Sequence, residues 1–182
     1  LIGFGAVSGG SDPRKGFDLL HAALRGLRGK LPNIELVVFG GGRTVELEDL
    51  GFPIHIMGRL SDDLSLRLVY NALDVMVIPS RHDNLPNVGI EALACGTPVA
   101  SFEVGGLPDI VTHRETGWLA KPFDIDSLAE GITWILLDPE RLARLRRAAR
   151  VFALDRFDGT VVAGQYKLLY DNVVNSIVPR RR

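Results

Sequence analysis

The residue types most able to do chemistry are gathered between Pro79 and Val111, PSRHDNLPNVGIEALACGTPVASFEVGGLPDIV, where Asp83 precedes Glu91 by eight positions. In one continuous helix that spacing would separate the two carboxylates by ~12 Å. Asp83-Asn84-Leu85-Pro86 reads instead as a turn, so Asp83 can fold back over the start of a helix carrying Glu91, and both can face one ligand. At that start the main-chain N–H groups of Asn87, Val88 and Gly89 are expected to lack helical acceptors and to suit an anion, although Pro86 supplies none. A phosphate there would put a ribose diol within reach of Glu91, because a carboxylate accepts two hydroxyl protons at once. A sugar hydroxyl beyond the phosphate could use Asp83 in the same way. Lys15, with Arg14, follows the first expected strand and could neutralise the phosphates from the other side. Taken singly, these residues also have plainer roles: Asp83 and Glu91 in helix capping and a solvated face, Lys15 as a surface charge.

Other chemistries fit the sequence poorly. Gly3-Phe4-Gly5-Ala6-Val7-Ser8 approaches the dinucleotide fingerprint G-x-G-x-x-G, but its third position is Ser and its glycines fall inside the strand. The second strand ends in Phe39-Gly40 with no acidic residue. The loop Gly9 to Lys15 lacks the P-loop pattern. His21, His55, His82 and His113 are scattered, and no pair has ligand spacing on one element, so no metal is expected. Cys95 reads as packing at a helix end. Asp62-Asp63, between Ser61 and Leu64, reads as a helix start favoured by the helix dipole.

Strands and helices alternate through most of the chain. Leu1 to Val7 is a short apolar strand feeding a Gly/Ser/Asp/Pro loop, Ser8 to Pro13. In the following stretch Phe17, Leu20, Ala23, Leu24 and Leu27 recur at helical spacing, giving an amphipathic helix that begins near Lys15. Strands are expected over Ile34 to Phe39, Pro53 to Met57 and Asp74 to Pro79, with a short polar helix over Val45 to Leu50. Ser61-Asp62-Asp63 should cap a helix to about Ala72, with Leu64, Leu68 and Val69 turned inward. Helix Asn87 to Cys95 should end in a left-handed Gly96, before strand Val99 to Phe102. A short helix over Pro108 to Thr112 and a strand over Gly117 to Ala120 follow. Three helices close the chain, over Ile125 to Leu137, Glu140 to Phe152 and Val161 to Val174, before the basic tail Arg180-Arg181-Arg182.

This alternation, with apolar strands and short connections, predicts an α/β domain with a Rossmann-like, doubly wound parallel sheet. Ligands of such sheets bind beyond the carboxyl ends of the strands, and Lys15, Gly58, Asp83 and Gly105 all follow strands, so they should converge on one edge. A chain of 182 residues with 46% apolar and 24% charged residues can bury a full core as one unit. Its net charge of −1 suggests neither disorder nor a nucleic-acid surface. The single cysteine and the lack of a charged-then-apolar leader make the cytoplasm the simplest compartment, and no apolar run nears a membrane span. The chain opens without Met inside an apolar run, which suggests a piece of a longer protein.

The order DPRKGFDLLHAAL, IELVVFG, IHIMGRL, LVYNALDVMVIPS, DNLPNVGIEALACGTPVASFEVGGLPDIV and TGWLA resembles the C-terminal, donor-binding half of retaining family-4 glycosyltransferases of the GT-B fold, over about residues 1 to 175. The DNLPN wording resembles a group-1 subgroup associated with bacterial surface-polysaccharide synthesis. That family marks its donor site with two Glu residues spaced E-x7-E. The resemblance implies that Glu91 binds the nucleotide ribose and that Asp83 contacts the donor sugar, with Asn84 and Leu85 beside it. Lys15, helped by Arg14, would meet the diphosphate, with Asn87 and Val88 at the helix start, and Gly58 and Arg59 would hold the base. Two departures stand out. The first acidic position is Asp, shorter than Glu by one methylene, and Ala6-Val7 stands where the family often has an Arg.

The implied activity is transfer of a sugar from a nucleoside-diphosphate donor, UDP or GDP, with retention of configuration and no metal or other cofactor. Acceptor binding, of a glycan or a lipid-linked molecule, would belong to a missing N-terminal domain, so this piece alone would bind donor without turnover. The last helix, about 158 to 175, would cross to that missing half and leave an apolar stripe here, and the tail, 176 to 182, could touch an anionic membrane surface. Three rivals share the pattern: a GT-B sugar-nucleotide epimerase, a non-catalytic nucleotide-sugar-binding module, and a purely structural α/β domain.

Overall fold

In the computed structural model, which describes residues 1–6, 12–41 and 50–177, six strands form one all-parallel sheet in the order β3-β2-β1-β4-β5-β6. The strands are β1 Ile2–Ala6, β2 Leu36–Gly40, β3 Ile54–Gly58, β4 Val75–Ile78, β5 Val99–Phe102 and β6 Gly117–Ala120. The helices are α1 Phe17–Leu27, α2 Asp63–Ala72, α3 Asn87–Ala94, α4 Leu107–Ile110, α5 Ile125–Leu136, α6 Pro139–Phe157 and α7 Gly159–Ile177. A single 3₁₀ turn, Pro13–Lys15, precedes α1. The expected helix over Val45 to Leu50 and the basic tail fall almost wholly outside the described residues.

The doubly wound sheet is therefore the observed architecture. Strand order reverses direction between β1 and β4, paired through Ile2–Val75 and Gly3–Met76, and this is where such sheets open a crevice at the carboxyl ends of the strands. Every strand but β3 is mostly buried, which explains the near-continuous apolar runs that mark them in sequence. One face packs α1 and α5 around Leu20, Leu24, Leu27, Val75, Val77 and Ile132. The other packs α2, α3, α4 and α6 around Tyr70, Met76, Leu93, Ile110 and Ala149. Each fully buried leucine contributes about 1.5–3 kcal/mol by leaving water, so the three on α1 alone anchor it firmly. All five α1 positions expected to face inward do so.

The α2 expectation needs correction. Leu64 and Leu68 lie outside, 61% and 64% exposed, and the inward stripe is Leu66, Val69, Tyr70 and Leu73. Apolarity alone does not choose between overlapping stripes, and burying the aromatic Tyr70 places two leucines in water. The Gly3-Phe4-Gly5 near-motif also proves to be packing. A Cβ at Gly5 would come within 2.6 Å of the Phe39 ring, and one at Gly3 would collide with Leu73.

The last two helices run to Phe157 and Ile177, longer than expected. On α7, Tyr166, Leu168, Leu169, Tyr170, Val173 and Val174 are all exposed, so this helix adds little to the core. No described helix is long and apolar enough to cross a membrane.

Candidate functional site

Two loops meet at the β1/β4 crevice. The first carries Lys15 in its 3₁₀ turn, opened by Asp12, whose side chain accepts from the Arg14 amide at 3.0 Å. The turn closes at Gly16 in the left-handed region, φ 66°, where a Cβ would collide with the carbonyl of Pro79 at the end of β4. The second loop, after β4, carries Ser80, Arg81 and Asp83. Arg81 joins the two: its amide donates to the Arg14 carbonyl at 2.8 Å, and its guanidinium grips Asp18 through two bonds of 2.7 and 2.6 Å. Those side-chain bonds hold the Asp18 carboxyl below its usual range.

At the meeting point Lys15 Nζ donates to Asp83 Oδ2 at 2.8 Å, and the buried Ser80 hydroxyl donates to the same oxygen at 3.1 Å. The Asp83 side chain keeps only 16% of its surface exposed. Its backbone is set from behind by Gly105-Gly106, since the Gly106 amide donates to the Asp83 carbonyl at 3.1 Å. A side chain at Gly105 would strike the Asp83 carbonyl, and one at Gly106 the Asn84 carbonyl. Arg14 turns away from this pair to Asp12, at 3.1 and 2.8 Å, and those bonds lower the Asp12 carboxyl. Asn84 and Leu85 sit exposed on the turn beyond Asp83.

Beside these loops lies a cleft of about 310 Å³, lined by Gly5 and Ala6 of β1, Phe39 to Gly41 at the end of β2, Arg59 and Leu60 after β3, Leu66 and Tyr70 of α2, and Asn87, Val88 and Glu91 of α3. Gly58 does not line it; with φ 66° it turns the chain so that Arg59 does. The helix start offers fewer free donors than expected, because the Gly89 amide turns back to the Pro86 carbonyl at 2.9 Å. The Asn87 and Val88 amides find no acceptor among the described residues, which keeps the terminus suited to an anion. Glu91, exposed on α3, accepts from the buried Tyr70 hydroxyl at 2.8 Å.

The structure thus brings Lys15 and Asp83 into contact and gathers Glu91, Asn87, Val88 and Arg59 around one neighbouring cleft. Tyr70, Ser80 and Arg81 escape the sequence reading, although each lies within quoted motifs. A lone phenol in the apolar stripe of α2 is the signal that marks Tyr70. Burial pushes the Cys95 thiol up, away from the reactive thiolate. Among the described residues no three His, Cys, Asp or Glu side chains are grouped to hold a metal ion. A wider groove of about 940 Å³, between α2, the end of α3 and α6, lies away from the crevice.

Comparison with known proteins bears on this arrangement. Residues 6–152 match the family described as glycosyl transferases group 1. A GDP-mannose-dependent α-(1-6)-phosphatidylinositol monomannoside mannosyltransferase of Mycolicibacterium smegmatis is 33% identical over 158 residues, 80% of this chain and 41% of the relative. Among solved structures, sucrose-phosphate synthase from Thermosynechococcus elongatus superposes with a TM-score of 0.79 at 31% identity, over 96% of this chain and 46% of that one. HepE of Anabaena, solved in complex with UDP, shares the fold at 23% identity and a TM-score of 0.80, over 94% of this chain and 48% of that one. The chain spans less than half the length of these relatives.

Proposed function

The chain belongs to the group 1 glycosyl transferases, and we propose that it is the donor-binding half of one: it holds a nucleoside-diphosphate sugar whose sugar the complete protein transfers with retention of configuration. The observation that carries this reading is the direct pairing of Lys15 with Asp83 beside a cleft lined by Glu91. One cation and two carboxylates match the parts of a nucleoside-diphosphate sugar: the cation its diphosphate, the carboxylates the hydroxyls of its sugar and its ribose. Glu91 takes the ribose hydroxyls, the Asn87 and Val88 amides meet a phosphate with Arg59 near the base, and Lys15 stabilises the departing diphosphate. Asp83, relieved of Lys15 when phosphate arrives, accepts from a donor-sugar hydroxyl beside Asn84 and Leu85.

Because Lys15 neutralises charge that develops as the glycosidic bond breaks, it acts on the transition state more than on the ground state. Departing diphosphate and incoming acceptor on one face of the sugar would retain configuration. Arg14 serves here mainly to shape the Lys15 turn through Asp12. The relative whose name specifies GDP-mannose and a phosphatidylinositol mannoside favours a guanosine donor and a lipid-linked acceptor bound by the other half, at a membrane surface; the UDP-bound neighbour keeps uridine in play.

Calorimetric titration of the 182-residue chain with UDP, GDP and ADP tests the reading. One of them should bind, and Glu91→Ala should weaken it by about tenfold or more, as for a lost pair of hydrogen bonds to a charged group. Binding of none, or binding indifferent to Glu91→Ala, would sink the assignment.

A further inference from the structure

Tyr70 has its ring in the core and its hydroxyl at the cleft. It is 1% exposed, and its ring meets Phe39 edge-on, with centroids 5.4 Å apart and an interplanar angle of 88°. The Phe39 ring rests in the space that Gly5 leaves on β1. The Tyr70 carbonyl accepts from the buried Thr97 hydroxyl, just past α3, at 2.6 Å. Three elements therefore fix this residue, and its hydroxyl is directed at Glu91 Oε2, 2.8 Å away, at the wall of the cleft. Burial, reinforced by the bond to the Glu91 carboxylate, pushes the phenol's ionisation far up, so it stays a donor wherever the protein is folded.

Glu91 itself is exposed at the end of a long, rotamer-rich side chain. A carboxylate free to rotate must lose that freedom before it can accept two hydroxyls together. A bond from the fixed phenol to Oε2 restricts the rotation of the carboxylate at the cleft wall and still leaves Oε1 and a second lone pair of Oε2 as acceptors. We propose that Tyr70 is a positioning residue for Glu91 that makes this site selective for ribonucleotides over 2′-deoxyribonucleotides, by aligning the carboxylate to accept the 2′- and 3′-hydroxyls together. The inference rests on the assignment of Glu91 to the ribose. Tyr70 acts through Glu91 and touches no reacting atom.

The test compares UDP with 2′-deoxy-UDP, and GDP with 2′-deoxy-GDP, on the wild-type chain, Tyr70→Phe and Glu91→Gln, by calorimetry. The wild-type chain should prefer the ribonucleotide by about tenfold. Tyr70→Phe keeps the ring in its Phe39 contact and should lower that preference to about twofold, while affinity for the deoxynucleotide stays within about twofold of wild type. That unchanged deoxynucleotide affinity shows the variant is folded, a readout that loss of packing would not reproduce. An undiminished preference in Tyr70→Phe, with the preference abolished in Glu91→Gln, would overturn the role of Tyr70 alone. Equal weakening of both nucleotides in Tyr70→Phe would assign it a purely structural part and overturn it too. A preference that survives Glu91→Gln would overturn the ribose assignment itself, and the inference with it.

Discussion

Asp83 and Glu91 stand eight residues apart and the protein holds them by opposite means. Asp83 lies on a loop, mostly buried, clasped by Lys15 and Ser80 and backed by a Gly-Gly turn that fits only because it lacks side chains. Glu91 lies on a regular helix, exposed, and a hydrogen bond from a buried phenol steadies it. The first arrangement depends on backbone fit and on charge, the second on one side chain reaching out of the core. Perturbing the backbone should therefore damage the Asp83 side far more than the Glu91 side, and changing charge should move affinity more than stability.

The largest expected effect is on the backbone fit. Gly106→Val would drive a side chain into the Asn84 carbonyl and should cost about 2–3 kcal/mol, the upper part of the range for overpacking a closely fitted site. Gly164→Ala on α7, where a Cβ meets nothing, should stabilise slightly or leave stability unchanged. Urea denaturation of both variants checks this, and a Gly106→Val cost below about 0.5 kcal/mol would break the contrast.

Next comes the charge. Lys15→Ala should weaken a nucleoside diphosphate by about 10–100-fold, as loss of a charge-assisted contact does, while the parent nucleoside changes by less than about twofold. Equal losses for both would place Lys15 away from the phosphates. Asp83→Asn should act in the opposite sense on the diphosphate. With Lys15 no longer shared, nucleoside diphosphate should bind about 2–5-fold tighter, a modest gain because the pair is partly exposed and screened. The same variant should lose whatever additional affinity the intact sugar nucleotide shows, and unchanged values for both ligands would remove Asp83 from the site.

The smallest effect concerns the strut between the loops. Arg81→Ala should cost less than about 1 kcal/mol at neutral pH, since Asp18 is largely exposed. The Asp18 pKa is depressed in the folded state, so the pair's contribution is present above the ordinary carboxylate value of about 3.9 and is lost as pH falls through the folded value. Wild type and Arg81→Ala should therefore draw together in stability as pH falls below about 3.9, measurable by denaturation at about pH 7 and at a series of acid pH values. A gap that persists at low pH would assign the strut to packing.

Much of the fold is legible in the residue pattern because buried parallel strands and amphipathic helices have unlike periodicities. The five inward positions of α1, the left-handed Gly96 after α3 and the turn before Asn87 are all written in local residue types. The α2 stripe was not, because Leu64 and Leu68 compete with Leu66, Val69 and Tyr70 for the inward face and only the sheet beneath decides which fits. The Gly89 amide likewise turns back to the Pro86 carbonyl, a detail of the first helical turn that residue identity does not specify.

The candidate site divides in the same way. Sequence alone determined that Lys15, Gly58, Asp83 and Gly105 would follow strands at one edge of a parallel sheet, because chain direction in such a sheet puts every strand-following loop on the same side. Only the tertiary structure decided that Lys15 and Asp83 touch, that Arg14 turns to Asp12, and that Tyr70 grips Glu91. The Lys15–Asp83 and Tyr70–Glu91 pairings join residues 68 and 21 positions apart, which only the packed sheet brings together, whereas Arg14 takes the carboxylate two residues away.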